Sequence, residues 1–209
     1  MTCLIPYITD ENFGHEELKY CIAGLRKFIG SDITVITIGT WNPYADKTII
    51  YESENNAIRR DRNMYMKLLV GLSQVEDEFI YSADDNFLLK PFDPTPRWTQ
   101  WTNTGLYAIT ENNTRDLLNT AVNFDVHYPS VMRKQLFIER FKNVDWGRPY
   151  GYCIKSVYYH GEMNKRYTLD YKLRDYPVRS DEWKQWDCVS TGWKNFECIR
   201  KHLKELYGL

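Results

Sequence analysis

From residue 3 to residue 81 the chain alternates apolar β-forming runs with stretches whose apolar residues recur every three or four positions. Residues 3–9, 32–39, 48–52 and 78–81 read as strands, the second through Ile33, Val35, Ile36 and Ile38. Between them, residues 16–29 carry Leu18, Cys21, Ile22, Leu25, Phe28 and Ile29 at helical spacing. Residues 56–74 do the same with Met64, Leu68, Leu69 and Leu72. Gly30 is placed to end the first helix in a left-handed conformation. This alternation predicts an α/β fold, a mostly parallel central sheet flanked by helices. In open sheets of that kind, ligands bind beyond the carboxyl ends of the strands. Thr9, Asp10, Gly39, Thr40 and residues 82–86 are therefore expected around one crevice.

After Pro91 the texture changes. Pro91, Pro94 and Pro96 mark a break, and residues 97–109 read as extended or hairpin structure. Residues 115–122 and 130–143 are helical candidates, residues 153–159 alternate like a strand, and residues 195–207 close with a helix. The length of 209 residues suits a single domain. Within it, residues 1–92 form the first half, and residues 93–209 pack on it and supply the acceptor side.

A formal net charge of -1 gives no long-range attraction to duplex nucleic acid or acidic membranes. A single modified base as acceptor remains compatible with that charge. No run of about 18 apolar residues exists to span a bilayer. Residues 1–9 lack a basic leader and a cleavage site, and read as a strand rather than a signal peptide. The five cysteines are scattered with no Cys-x-x-Cys pair, against zinc and against a disulfide framework. Buried free thiols in a reducing cytoplasm are expected. Aromatic residues reach 15%, and Trp98, Trp101, Trp183, Trp186 and Trp193 are each suited either to stack on a sugar or to fill a core.

The strand at residues 78–81 runs into Ser82-Ala83-Asp84-Asp85-Asn86. Adjacent carboxylates repel, and Asp-Asp-Asn suits a solvated turn. Hard oxygen ligands at a strand's end equally suit Mg²⁺ or Mn²⁺ holding a diphosphate. Arg59, Arg60, Arg62 and Lys67 lie just upstream; guanidinium forks match phosphate oxygens, although Glu52, Glu54 and Asp61 also balance them as a solvated face. His160-Gly161 after the expected strand is a candidate metal ligand, with Lys165 in reach of a phosphate; a histidine capping the strand end is the alternative. Asp125 and His127 stand two apart, on one face of an extended segment, where either can act as general base; an Asp-stabilised turn is the alternative.

Taken together, these residues resemble the nucleotide-sugar-dependent glycosyltransferases of the A-type fold. Ser82-Ala83-Asp84-Asp85 looks like that family's Asp-x-Asp motif, with Ser82 where many members carry the first Asp. The segment from Asn55 and Asn56 through Ala57, Arg62 and Asn63 is similar to the helix start that precedes the motif. Residues 84–91 look particularly like the stealth (capsular-polysaccharide transferase) branch and its small phage or bacterial relatives. The resemblance covers roughly residues 1–92. It implies a metal-dependent transferase that moves a sugar from a nucleoside-diphosphate sugar to a saccharide or other hydroxyl acceptor. Asp84 and Asp85, with His160, would hold the metal, and Asp85 would share the chemistry with Asp125 and His127. Thr9, Asp10, Arg59, Arg62, Asn63 and Lys165 would hold the donor. A stealth-type sugar-phosphate transferase and a non-catalytic carbohydrate-binding protein are the alternatives on the same fold.

Overall fold

The computed structural model describes residues 1–9, 15–54, 56–105, 107–174, 178 and 180–209. The elements are β1 (Thr2–Tyr7), α1 (Glu16–Phe28), β2 (Thr34–Gly39), β3 (Lys47–Ile50), α2 (Arg60–Gly71), β4 (Glu78–Tyr81), β5 (Asn86–Leu88) and β6 (Arg97–Trp98). Then come α3 (Tyr107–Leu118), β7 (Ser130–Arg133), α4 (Lys134–Phe141), α5 (Ile154–Tyr158), β8 (Arg166–Tyr167), β9 (Cys188–Ser190) and α6 (Trp193–Tyr207). The central sheet has the order β3-β2-β1-β4-β7. Its first four strands are parallel, and β7 pairs antiparallel with β4 at the edge.

Both faces of this sheet are covered at its centre, which is why β2, β1 and β4 are largely apolar rather than alternating with polar residues. Alternate side chains enter different cores. Cys3, Ile5, Val35 and Ile80 pack with Cys21 and Leu25 of α1, Phe87 of β5, and Phe196 and Leu203 of α6. Leu4, Ile36, Phe79 and Tyr81 pack on the other face with Leu68 of α2, Phe137 and Phe141 of α4, and Tyr158 of α5. Each such large side chain, fully buried, contributes about 1.5–3 kcal/mol before entropy is counted. Gly71 on α2 keeps that helix close to the sheet: a Cβ there would sit 3.0 Å from Leu4 and 3.1 Å from Ile38.

Four local expectations are corrected. Residues 130–133 form β7 and not the start of a helix, because the open edge of β4 takes them up in register, Ser130 opposite Tyr81. Residues 154–158 are helical, not a strand; Ile154, Val157 and Tyr158 are buried at helical spacing, and a short apolar run does not by itself distinguish the two. The α3 helix begins at Tyr107, inside the segment read as extended. Gly30 follows α1 at φ 159°, close to extended, whereas α6 does end on a left-handed glycine, Gly208 at φ 73°. All five cysteines are free; four are buried, and Cys198 is exposed. Among the described residues no helix is long and apolar enough to cross a membrane.

Candidate functional site

Strand β1 continues through α1 to β2 on one side, while β4 lies on its other side. The strand order therefore reverses between β1 and β4, the place where open α/β sheets hold ligands. At the end of β4, the Ser82 amide still donates to the Leu4 carbonyl at 3.2 Å. The chain then turns through residues 84–85 into β5. The Asp85 end of this turn borders a cleft of about 400 Å³, lined among others by Asp61, Asp85, Asn86, Asp125, His127 and Lys172, while Asp84 is not among the lining residues. Ser82 is fully buried and does not line it.

The two carboxylates of the turn have different surroundings. Asp85 Oδ2 accepts from Lys172 Nζ at 2.5 Å and from Ser190 Oγ at 2.7 Å. Burial alone would raise the Asp85 pKa, but Lys172, His127 and Ser190 outweigh it and hold the group below the usual carboxylate range. Asp84 is half-buried, and no described side chain donates to it. Burial and then the adjacent Asp85 push it up to about 7, against the pull of Lys172 and Lys67. Lys67 is 1% exposed and donates to the Tyr7 carbonyl at 2.9 Å. Burial pushes it down to about 8, with Asp84 partly offsetting. The backbones must meet closely here: at Gly39, φ 139°, a Cβ would lie 1.9 Å from the Tyr7 carbonyl oxygen.

Two acids and two ammonium groups thus face one another at the end of β4. The carboxylate of Asp84, to which no described side chain donates, and the second oxygen of Asp85 are of the type that suits a hard divalent cation. Among the described residues no three His, Cys, Asp or Glu groups gather as a metal site. A cation here would therefore need phosphate oxygens or water to complete its shell.

His127 is oriented from outside its own segment. Its Nδ1 lies 2.7 Å from Asp170 Oδ1, and the same oxygen accepts the His127 amide at 3.1 Å. Burial would raise Asp170, but the hydrogen bonds and charge of His127, with Arg174, bring it down to about 2. Asp125 also lines the cleft and accepts the Tyr107 hydroxyl. Asp61 is pushed up to about 6, chiefly by burial, with Arg60 opposing and Asp125 adding. Thr110 Oγ1 donates to it at 3.1 Å.

Other expected residues sit elsewhere. Arg62 pairs with Glu54 at 2.7 Å, and Arg59 donates to the Gly147 carbonyl at 2.9 Å. Asn63 donates to the Glu54 carbonyl at 2.9 Å and accepts its amide, so these three tie down the segment before α2. The basic residue of that cluster which lines the cleft is Arg60. Thr9 follows β1, where its amide donates to Thr40 Oγ1 at 3.3 Å and its own hydroxyl has no partner among the described residues. Asp10 and Asn55 lie outside the described residues.

His160 was expected to project from a strand end toward Asp84. That strand is α5, and His160 lines a separate surface groove with Tyr159 and Glu162. Lys165 lies with its amine 5.7 Å from the centre of the Phe124 ring and does not line the cleft. Trp183 is buried, and Trp98, Trp101 and Trp186 are absent from the cleft lining; the Trp193 side chain is outside the described ones.

Sequence reading missed Asp170 and Lys172, the partners of His127 and Asp85. A signal was present. Leu169, Tyr171 and Leu173 alternate with Asp170, Lys172 and Arg174, and all three charged residues line the cleft. The segment runs beside β9, where the Leu173 amide donates to the Ser190 carbonyl at 2.8 Å and the Ser190 amide to Tyr171 at 2.9 Å.

No protein-family model matches the chain, and no curated protein matches its sequence. Solved structures do. A glycosyltransferase involved in the glycosylation of the major capsid of PBCV-1 matches with a TM-score of 0.51 at 10% identity, over 98% of each chain. The inositol-1-phosphate CTP transferase from T. maritima gives a TM-score of 0.48 at 9% identity, over 99% of this chain and 94% of that one. The likeness to the first is one of fold: the chain shares that glycosyltransferase's α/β fold, with a mostly parallel sheet flanked by helices.

Proposed function

We propose that this chain is a glycosyltransferase that moves a sugar from a nucleoside-diphosphate sugar to a hydroxyl acceptor. One observation carries the reading. Asp84, a carboxylate to which no described side chain donates, stands at the strand-order reversal beside an Asp85 that is fixed by Lys172 and Ser190. A divalent cation, Mg²⁺ or Mn²⁺, held by Asp84 and the second oxygen of Asp85, would offset charge on the leaving diphosphate.

The chain's own residues supply the rest. Lys172 and Lys67 keep the two acids from repelling a phosphate outright. Thr9, at the end of β1, offers its unpaired hydroxyl to the nucleoside side. With Nδ1–H donating to Asp170, His127 has Nε2 free to accept a proton from an acceptor hydroxyl. Asp170 then stabilises the imidazolium that forms. Asp125, engaged by the Tyr107 hydroxyl, is the second proton acceptor within the same cleft. Arg62 would take part only by exchanging Glu54 for a phosphate.

The test is incubation with a panel of nucleotide sugars and Mn²⁺, with Asp84→Asn in parallel. Slow release of nucleoside diphosphate from one donor, lost in the variant, is expected. Release of nucleoside monophosphate instead would mean transfer of a phosphorylated sugar. No turnover and no binding of any donor would refute the reading.

A further inference from the structure

Asn86 is the first residue of β5 and follows the carboxylate pair directly. It lines the cleft and is 1% exposed. Neither its Oδ1 nor its Nδ2 has a hydrogen-bond partner among the described residues. No other cleft-lining residue among those described carries a buried polar side-chain atom in that condition. Asn123, the other cleft asparagine, shows the contrast. Its Oδ1 accepts the Asp125 amide at 2.8 Å and the Ser156 hydroxyl at 3.1 Å, and its Nδ2 donates to Glu111 at 3.4 Å. Asn123 is a structural brace, whereas Asn86 has donor and acceptor capacity that the fold does not use. Burying a carboxamide without partners is costly, and an apolar residue of similar size would avoid that cost.

We propose that Asn86 is a sugar-reading residue, whose carboxamide binds two neighbouring hydroxyls of the transferred sugar. The inference rests on the transferase reading and deepens it. A carboxamide presents one acceptor beside a donor group, and a vicinal diol answers both because each hydroxyl gives and accepts. A nucleobase edge has the same pattern, but the transferase reading puts the nucleoside beyond β1 and β2, near Thr9 and Thr40. Asn86 instead shares its cleft with His127 and Asp125, the proton-accepting side. A cleft of about 400 Å³ lies in the usual range for small-ligand sites and has room for a monosaccharide. The substrate class is thus a donor whose sugar keeps adjacent free hydroxyls.

The test compares wild type with Asn86→Leu and Asn86→Ala by calorimetry in Mn²⁺, using UDP, GDP and CDP and their hexose conjugates. The diphosphates should bind all three proteins alike. The best hexose conjugate should bind the variants about ten- to a hundredfold more weakly than wild type. A deoxy analogue lacking one of the two hydroxyls should lose affinity for wild type only. Melting of the ligand-free proteins checks the fold, and Asn86→Leu should melt no lower than wild type. Equal binding of the hexose conjugate by all three proteins would overturn the role of Asn86 while leaving the transferase reading intact. Binding of no conjugate by wild type would overturn both.

Discussion

Asp84→Asn keeps the side chain's shape and removes its charge. In the folded protein, burial and Asp85 push the Asp84 carboxyl up to about 7. In the unfolded chain it titrates near the ordinary value of about 3.9. The folded state therefore holds this proton more tightly. The resulting penalty is absent below about pH 4, where both states are protonated, and complete above about pH 7, where both are ionised. A rise of roughly three pH units corresponds to a ceiling of ~4 kcal/mol. Partial solvent screening, and the loss of a neighbour for Lys67 and Lys172, bring the net gain down to about 1–2 kcal/mol. Without divalent metal, Asp84→Asn should therefore be the more stable protein by that amount at pH 8, and equal to wild type at pH 4. Urea unfolding at pH 4, 6 and 8 in chelator measures it. Added Mn²⁺ should raise the midpoint of wild type at pH 8 and leave the variant unmoved. A variant that is weaker at pH 8, or a difference that ignores pH, would refute the electrostatic account of the site.

The remaining expectations concern the groups around that pair. Lys172→Met leaves Asp85 with Ser190 alone in a largely buried setting; it should cost about 2–4 kcal/mol by urea unfolding at pH 7. Asp170→Asn removes a carboxylate held near 2, whose contribution is present above about pH 4 and lost as pH falls toward 2. It should cost about 1–2 kcal/mol at pH 7, nothing near pH 2, and lower transfer about a hundredfold or more in single-donor turnover assays. Phe137→Ala, at a fully buried position under the sheet, should cost about 3–5 kcal/mol with an unchanged urea slope.

The first ninety residues were legible because their order follows from local pattern. The apolar periods of residues 16–29 and 56–74 and the β-branched run at residues 32–39 specify a βαβ arrangement, and that arrangement places Asp84 at the sheet's reversal point. The later residues were less legible because their structure depends on partners distant in sequence. Residues 130–133 carry the side chains of a helix candidate, yet the unpaired edge of β4 takes them as a strand. Residues 154–158 hide a helix because Lys155, which breaks the apolar pattern, is itself buried, donating to the carbonyls of Val126 and Tyr128. The site divides the same way. Asp85 and His127 were visible in sequence, but Lys172 lies 87 residues from the first and Asp170 lies 43 from the second. The displacement of His160 follows from α5, since a helix in place of a strand changes where the next residue points.

Manganese scattering gives the most direct reading of whether the β4 edge is a donor site. Crystals soaked with Mn²⁺ and a nucleoside-diphosphate sugar should show an anomalous peak against Asp84, bridged to two phosphates, with Lys172 still on Asp85. A peak at His160 alone, or a sugar nucleotide seated away from residues 82–86, would contradict the account.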